Sequence, residues 1–166
     1  MRNLTSIKPQ DILILLKLFI WGPDRIWQNL DIAKELGLSP YEISVGLERC
    51  RFSGFLDASK KNINKSALLE FILHGLKYIY PVHPGPICRG MPTAHSAPPL
   101  ASKIMSNQQD QYVWPDEDGT IRGQSIEPIH KTALLASKND QKLYKLLSLI
   151  DAIRVGRARG VNPFSS

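Results

Sequence analysis

Cysteine is scarce in this chain. Its 166 residues hold two, Cys50 and Cys88, where a small disulfide-built scaffold would carry several more. Two reduced thiols are the expected state. Long hydrophobic runs are missing as well. The most apolar stretch, Ile12 to Ile20, falls short of a span and is interrupted by Lys17, so no membrane helix is expected. Pro9 and Asp11 break any signal-like approach, and no small-residue cleavage site follows Trp21. The expected compartment is the cytoplasm. Chemistry-bearing patterns are equally thin. His74, His83, His95 and His130, even with Cys88, match no zinc spacing, and the histidines outside helices are expected on loop surfaces. Ser96, His95 and Asp110 make no nucleophile constellation, and no Gly-x-Ser-x-Gly or phosphate loop occurs. The acidic run Asp116-Glu117-Asp118 lacks the ligand order of a calcium loop. Neither an enzyme nor a cofactor, metal included, is expected.

What remains is globular composition, 43% hydrophobic and 22% charged, with a net charge of +6. A basic balance favours nucleic acid or an acidic partner, and its distribution is uneven. Residues 1–80 hold 11 basic and 8 acidic residues, residues 81–130 hold 3 and 5, and residues 131–166 hold 7 and 2. Both ends are basic and the middle is not.

The first 80 residues are dense in helical signals. Pro9 suits a first helical turn, and from there to Ile20 nearly every residue is apolar. Such a helix is buried on several sides or meets a second chain. Gly22-Pro23-Asp24 ends it. In Gln28 to Leu36, the residues Leu30, Ile32, Ala33 and Leu36 share a face, and Gly37 suits a left-handed stop. Ser39, Pro40 and Glu42 spell an N-cap, a first-turn proline and a capping box. The stripe Ile43, Gly46, Leu47, Cys50 then marks the inward face of a helix over 39–53. After Gly54 the period changes. Phe55-Leu56-Asp57 and Asn62-Ile63-Asn64 read as two short strands around a basic tip, although no Asn-Gly or Asp-Gly marks the turn. Asn64 can cap a further helix over 65–80.

Residues 81–130 carry eight prolines and read as an irregular extension, with one short helix near Pro99 to Met105. Scattered apolar residues suggest that it packs, and Trp114 is expected to be buried against the helical domain. The pairs Arg89-Gly90 and Arg122-Gly123 stand out without an assigned role. Asp140 to Arg157 reads as an amphipathic helix with the stripe Leu143, Leu146, Leu147, Ile150, Ile153. Arg154, Arg157 and Arg159 crowd its end, where cations suit the helix dipole.

Ala33, Gly37, Ile43 and Leu47 fall at helix-turn-helix spacing. The stretch AKELGLSPYEISVGLERCRFSGFL resembles bacterial winged-helix transcriptional regulators of the broad MarR and ArsR kind, over about residues 8–80. The resemblance implies a reading helix over 39–53 in the major groove and a wing over 55–64 on the backbone. By position, Ser39, Pro40, Tyr41, Ser44, Val45 and Arg49 would face DNA, with Arg51 further along and Lys60 and Lys61 at the wing tip. Val45 departs from the pattern. An arginine or lysine often stands there, and valine can touch at most a thymine methyl. Glu42 and Glu48 add negative charge nearby.

The expected architecture is α+β and mostly α: a winged helix-turn-helix over 1–80, an irregular Pro-rich extension over 81–130, and a C-terminal helix with a basic tail over 131–166. The expected function is a DNA-binding transcriptional regulator, non-catalytic and homodimeric, with double-stranded DNA as its partner. The alternative is a protein-interaction module, such as an antitoxin that holds a toxin enzyme.

Overall fold

The structure, a computed structural model, describes residues 5–98, 100–102, 111–156 and Phe164. Over these residues the chain is α+β, with seven α-helices and one three-stranded sheet. It divides into two compact units, and neither is contiguous in sequence. Unit 1 takes Met1–Glu70 with Ile129–Leu143, and unit 2 takes the rest. The expected three-part division at residues 80 and 130 is therefore not the one observed. Long-range side-chain pairing draws 129–143 into unit 1, and strand pairing organises the middle. No helix among the described residues is long and apolar enough to cross a membrane.

Unit 1 contains α1 (Pro9–Trp21), α2 (Asn29–Leu36), α3 (Pro40–Phe52), the start of α4 (Lys65–His74) and α6 (Ala133–Lys138). Pro9 occupies the first turn of α1, and Asp11 accepts the Lys8 backbone N–H at 2.8 Å. Ile12, Leu13, Ile14, Leu15 and Leu16 are all fully buried. The apolar surplus of α1 is thus taken up within one chain and does not call for a second. α3 packs closely on α1 because position 46 is glycine. A Cβ there would lie 2.6 Å from both Asp11 Oδ1 and Ile14 Cδ1.

Two buried charges of α1, Asp11 and Lys17, are paired. Arg49 Nε and Nη2 donate to Asp11 Oδ2 and Oδ1 at 2.7 and 2.9 Å. Lys17 Nζ meets Asp140 Oδ2 at 2.6 Å and Glu35 Oε2 at 3.3 Å. Beside the first pair, burial pushes the Cys50 thiol well up, so Cys50 packs as an inert apolar group.

The link from α2 to α3 follows its local chemistry. Gly37 sits at φ +69 and closes α2. Ser39 Oγ accepts from the Glu42 N–H at 3.1 Å, and Glu42 Oε2 accepts from the Ser39 N–H at 2.8 Å. Ile32, Ala33, Leu36, Ile43, Leu47 and Cys50 form the buried stripe. Leu30, expected on that face, is 49% exposed.

The segment after α3 makes a single antiparallel bridge, Leu56 to Ile63. Its loop is closed by Asp57. Ser59 Oγ donates to Asp57 Oδ1 at 2.6 Å and Asn62 Nδ2 to Oδ2 at 2.7 Å. These donors lower the Asp57 pKa to about 2. An aspartate bonded to residues two and five ahead fixes the turn where the sequence offers no turn dipeptide. Asn64 caps α4, accepting from the Ala67 N–H at 3.2 Å.

Unit 2 holds α5 (Leu76–Ile79), β1 (Ile87–Pro92), β2 (Tyr112–Pro115), β3 (Ile121–Ser125) and most of α7 (Gln141–Arg154). The expected irregular extension is in fact a closed three-stranded barrel. Antiparallel β1 pairs with β3 through its first half, Ile87 to Gly90, and with β2 through its second, Gly90 to Pro92. Tyr112 and Val113 of β2 then pair parallel to Gln124 and Ser125 of β3 and close the ring.

Glycines permit so tight a ring. A Cβ on Gly90 would lie 2.1 Å from the Trp114 carbonyl oxygen, and one on Gly119 would lie 2.3 Å from the Gly90 backbone. Backbone cannot swing aside as a side-chain tip can. Gly119→Val is expected to destabilise unit 2 by about 3 kcal/mol, the upper range for overpacking. Urea unfolding followed by near-ultraviolet circular dichroism measures this, and an unchanged midpoint would show that the ring opens freely.

Trp114 is 1% exposed, as expected, but its partners lie within unit 2. Its Nε1 donates to Asp151 Oδ2 at 2.6 Å, and its ring meets Tyr144 edge-on at 5.9 Å. Thr93 Oγ1 also donates to Asp151 Oδ2 at 2.6 Å. Arg154 Nη1 donates to Asp151 Oδ1 at 3.0 Å, and Arg154 Nε to the Tyr80 carbonyl at 2.8 Å. Burial pushes the Asp151 pKa up while Arg154, Thr93 and Trp114 pull it down. His95, expected on a loop surface, is 1% exposed and edge-on to Tyr112 at 4.8 Å.

Of the stretch Pro99 to Met105, where a short helix is expected, the described residues Leu100–Ser102 form a 3-10 turn, and a second such turn spans Ala94–Ser96. Pro99 and residues 103–105 lie outside the described residues. α7 carries its stripe as expected, with Leu143, Leu146, Leu147, Ile150 and Ile153 buried. Arg157 and Arg159 lie outside the described residues.

Candidate nucleic-acid interface

The sequence singles out nine residues for DNA contact, all within unit 1, and the structure sorts them into three groups. The first group lies at or near the exposed start of α3. Ser39 and Pro40 are exposed, Tyr41 is 73% exposed, and Ser44 and Val45 are half-buried. Ser39 spends its side chain on the capping box, so what it can offer a phosphate is the helix end itself. The N-terminal N–H groups of a helix, with the positive end of its dipole, favour an anion. The nearby Glu42 carboxylate opposes this. Its pKa is lowered, first by the Ser39 backbone hydrogen bond and further by the positive field of His130 and Lys131.

The second group is a charge hub around Glu48. Arg51 Nε donates to Glu48 Oε1 at 2.9 Å, with Nη2 on the same oxygen, and Lys60 Nζ meets Glu48 Oε2 at 2.5 Å. The Arg51 and Lys60 hydrogen bonds hold the Glu48 pKa down to about 2. This hub fastens the 55–64 loop to α3, and it also occupies two cations that the sequence assigned to DNA. A carboxylate with a depressed folded-state pKa stabilises above its ordinary pKa, and that contribution is lost as pH falls towards the folded value. The fastening is therefore complete at neutral pH and lost on acidification from about pH 4.3 to about 2.

The third group is two side chains with other roles. Arg49 does not face outward. It is 6% exposed and forked onto Asp11, because its helical position falls on the α1 side of α3. Lys61 is exposed and rests over the Trp27 ring, with Nζ 4.4 Å from the centroid and 3.4 Å from the Trp27 carbonyl oxygen. A cation over an indole face keeps its charge and loses freedom.

Between α3 and the loop lies an open cleft of about 350 Å³, lined by Trp27, Gln28, Asn29, Ser44, Leu47, Ser59, Lys60 and Lys61. It brings Ser44, Lys60 and Lys61 from the predicted set together with the α2 N-terminus. Trp27 and the start of α2 were not foreseen as part of this surface, and their spacing from Lys61 gives no local signal. Arg49 is absent from the cleft, and Tyr41 stands outside it.

No known protein family matches the chain, and no curated protein or solved structure matches it.

Proposed function

We propose that this chain is a DNA-binding transcriptional regulator. In this reading unit 1 is a winged helix-turn-helix, with α2 and α3 as the helix pair and residues 55–64 as the wing. The protein is non-catalytic, cytoplasmic and dimeric. The observation that carries the reading is the left-handed Gly37 turn that presents the capped, exposed start of α3 beside a loop bearing Lys61. Tyr41 and Ser44 are the candidates for base edges or sugars, and Lys61 is the candidate for phosphate. Arg49 has no part in it. The Glu48 hub makes the surface less basic than its sequence, which favours modest affinity. The exposed Tyr41 and Phe52, 73% and 56%, favour the second reading, in which the same surface holds a protein such as a toxin enzyme.

The test is Kd for promoter and scrambled duplexes over a salt series. Lys61→Ala is expected to weaken both duplexes equally and reduce the salt slope by about one. Tyr41→Ala with Ser44→Ala is expected to cost about 1–3 kcal/mol on the specific duplex alone. Glu48→Gln releases Lys60 and Arg51 and is expected to tighten both duplexes and steepen the slope by about one to two. Indifference of all three variants would leave the protein-binding reading.

A further inference from the structure

The two Arg-Gly pairs of the sequence turn out to be neighbours. Arg89 of β1 stands directly opposite Arg122 of β3, and Cys88 opposite Gly123. Cross-strand partners share a face, so the two arginines stand on one face of the sheet, and both residues are exposed. Like charges placed directly opposite destabilise a sheet. Arg89 Nη1 reaches the Gly119 carbonyl at 3.4 Å. Among the described residues, no ion pair involves Arg89, Arg122, Glu117 or Asp118. Two residues from Arg89 on the same face is Ile87, 54% exposed and paired with Gln124.

The acidic turn Asp116-Glu117-Asp118 is bonded to β1. The Asp116 N–H donates to the Arg89 carbonyl at 3.1 Å, and the Gly119 N–H to the Asp116 carbonyl at 3.0 Å. Among the described residues the barrel therefore carries two exposed arginines without an ion pair, two exposed carboxylates without one on the turn bonded to β1, and an exposed isoleucine. A polyanion such as nucleic acid would gain from the arginines and be repelled by the turn. A partner carrying both signs gains from both. A two-fold contact requires a patch to contain its own complement, and this one does.

We propose that this barrel face is where a second copy of the chain docks, the Arg89 and Arg122 guanidinium groups of each copy meeting the Glu117 and Asp118 carboxylates of the other around Ile87. The charges set register and partner choice more than affinity. This deepens the dimeric part of the function proposed above and is independent of its DNA part.

The test is the mass of the full chain without DNA, by sedimentation equilibrium at micromolar concentration. The wild type is expected to be a dimer. Arg89→Glu with Arg122→Glu is expected to be a monomer, as is Glu117→Arg with Asp118→Arg, and an equimolar mixture of the two is expected to regain the dimer. Arg89→Gln with Arg122→Gln serves if charge reversal prevents folding, and is expected to raise the dimer Kd at least about tenfold, the summed effect of the four exposed pairs that a two-fold contact would lose. A monomeric wild type overturns both this surface and the dimeric reading. A dimer that ignores every substitution, or a mixture that stays monomeric, overturns this surface alone. Unchanged mass with weakened DNA binding would give the face to nucleic acid and also overturn it.

Discussion

Asp11→Ala is expected to cost about 3–5 kcal/mol of unfolding free energy, the range for stranding one member of a buried ion pair. Asp11 is fully buried and holds both Arg49 nitrogens within 2.9 Å, while also capping α1 through the Lys8 N–H. Its removal strips a guanidinium that is only 6% exposed of both carboxylate oxygens. Asp11→Leu with Arg49→Met removes both charges and is expected to recover most of the loss, because an apolar pair of similar volume replaces a desolvated one. Urea unfolding of the single and double variants gives the coupling directly. If the double variant is as unstable as Asp11→Ala, the pair is not the source. The double variant also decides what Arg49 is for. On the proposed DNA-binding reading its salt slope is expected to match the wild type's, since Arg49 is spent inside the protein.

The second large effect is expected in unit 2. Asp151→Ala removes the acceptor of Thr93, Trp114 and Arg154 at once. The loss is expected to reach about 3–5 kcal/mol, again the scale of an uncompensated buried charge, with unmet donors adding to it. The signature should be local. Near-ultraviolet dichroism of Trp114 should collapse at a lower urea concentration than the far-ultraviolet signal of the helices. Superimposable transitions at the wild-type midpoint would show that the cluster contributes nothing.

These two clusters mark where the sequence is readable and where it is not. The α2–α3 turn was legible because every determinant lies within a few residues: Gly37 for the left-handed stop, Ser39 and Glu42 for the cap, Ile43 and Leu47 for the stripe. The start of α1 at Pro9, the Asn64 cap and the α7 stripe were legible for the same reason. Arg49 was not, since its partner is 38 residues away and an arginine on a helix face looks alike whether it meets solvent or a buried aspartate. Leu30 was misplaced because a short helix leaves its first turn outside the packed face.

The barrel was hidden by its own construction. Its strands are four to six residues long, broken by proline and glycine, and show no clean alternation. Their pairing depends on glycines that permit close backbone approach, which composition registers only as loop. The candidate interface was legible in outline. Its charge balance was not, because the Glu48 hub and the Trp27 platform are tertiary.

The pairing of Lys17 with Asp140 has a consequence for synthesis on the ribosome. The two are separated by 123 residues. At about 5–20 residues per second, Asp140 is translated about 6–25 s after Lys17. Glu35 arrives sooner, 18 residues on, but it is 41% exposed and its contact is the longer one, 3.3 Å against 2.6 Å. The nascent N-terminal helices therefore emerge with a cation at the heart of their packing surface and half of its counter-charge still untranslated. A chain stopped near residue 80 would keep that cation indefinitely. Such a fragment should be a client of chaperones and proteases, even though every apolar residue of α1–α3 is already present in it.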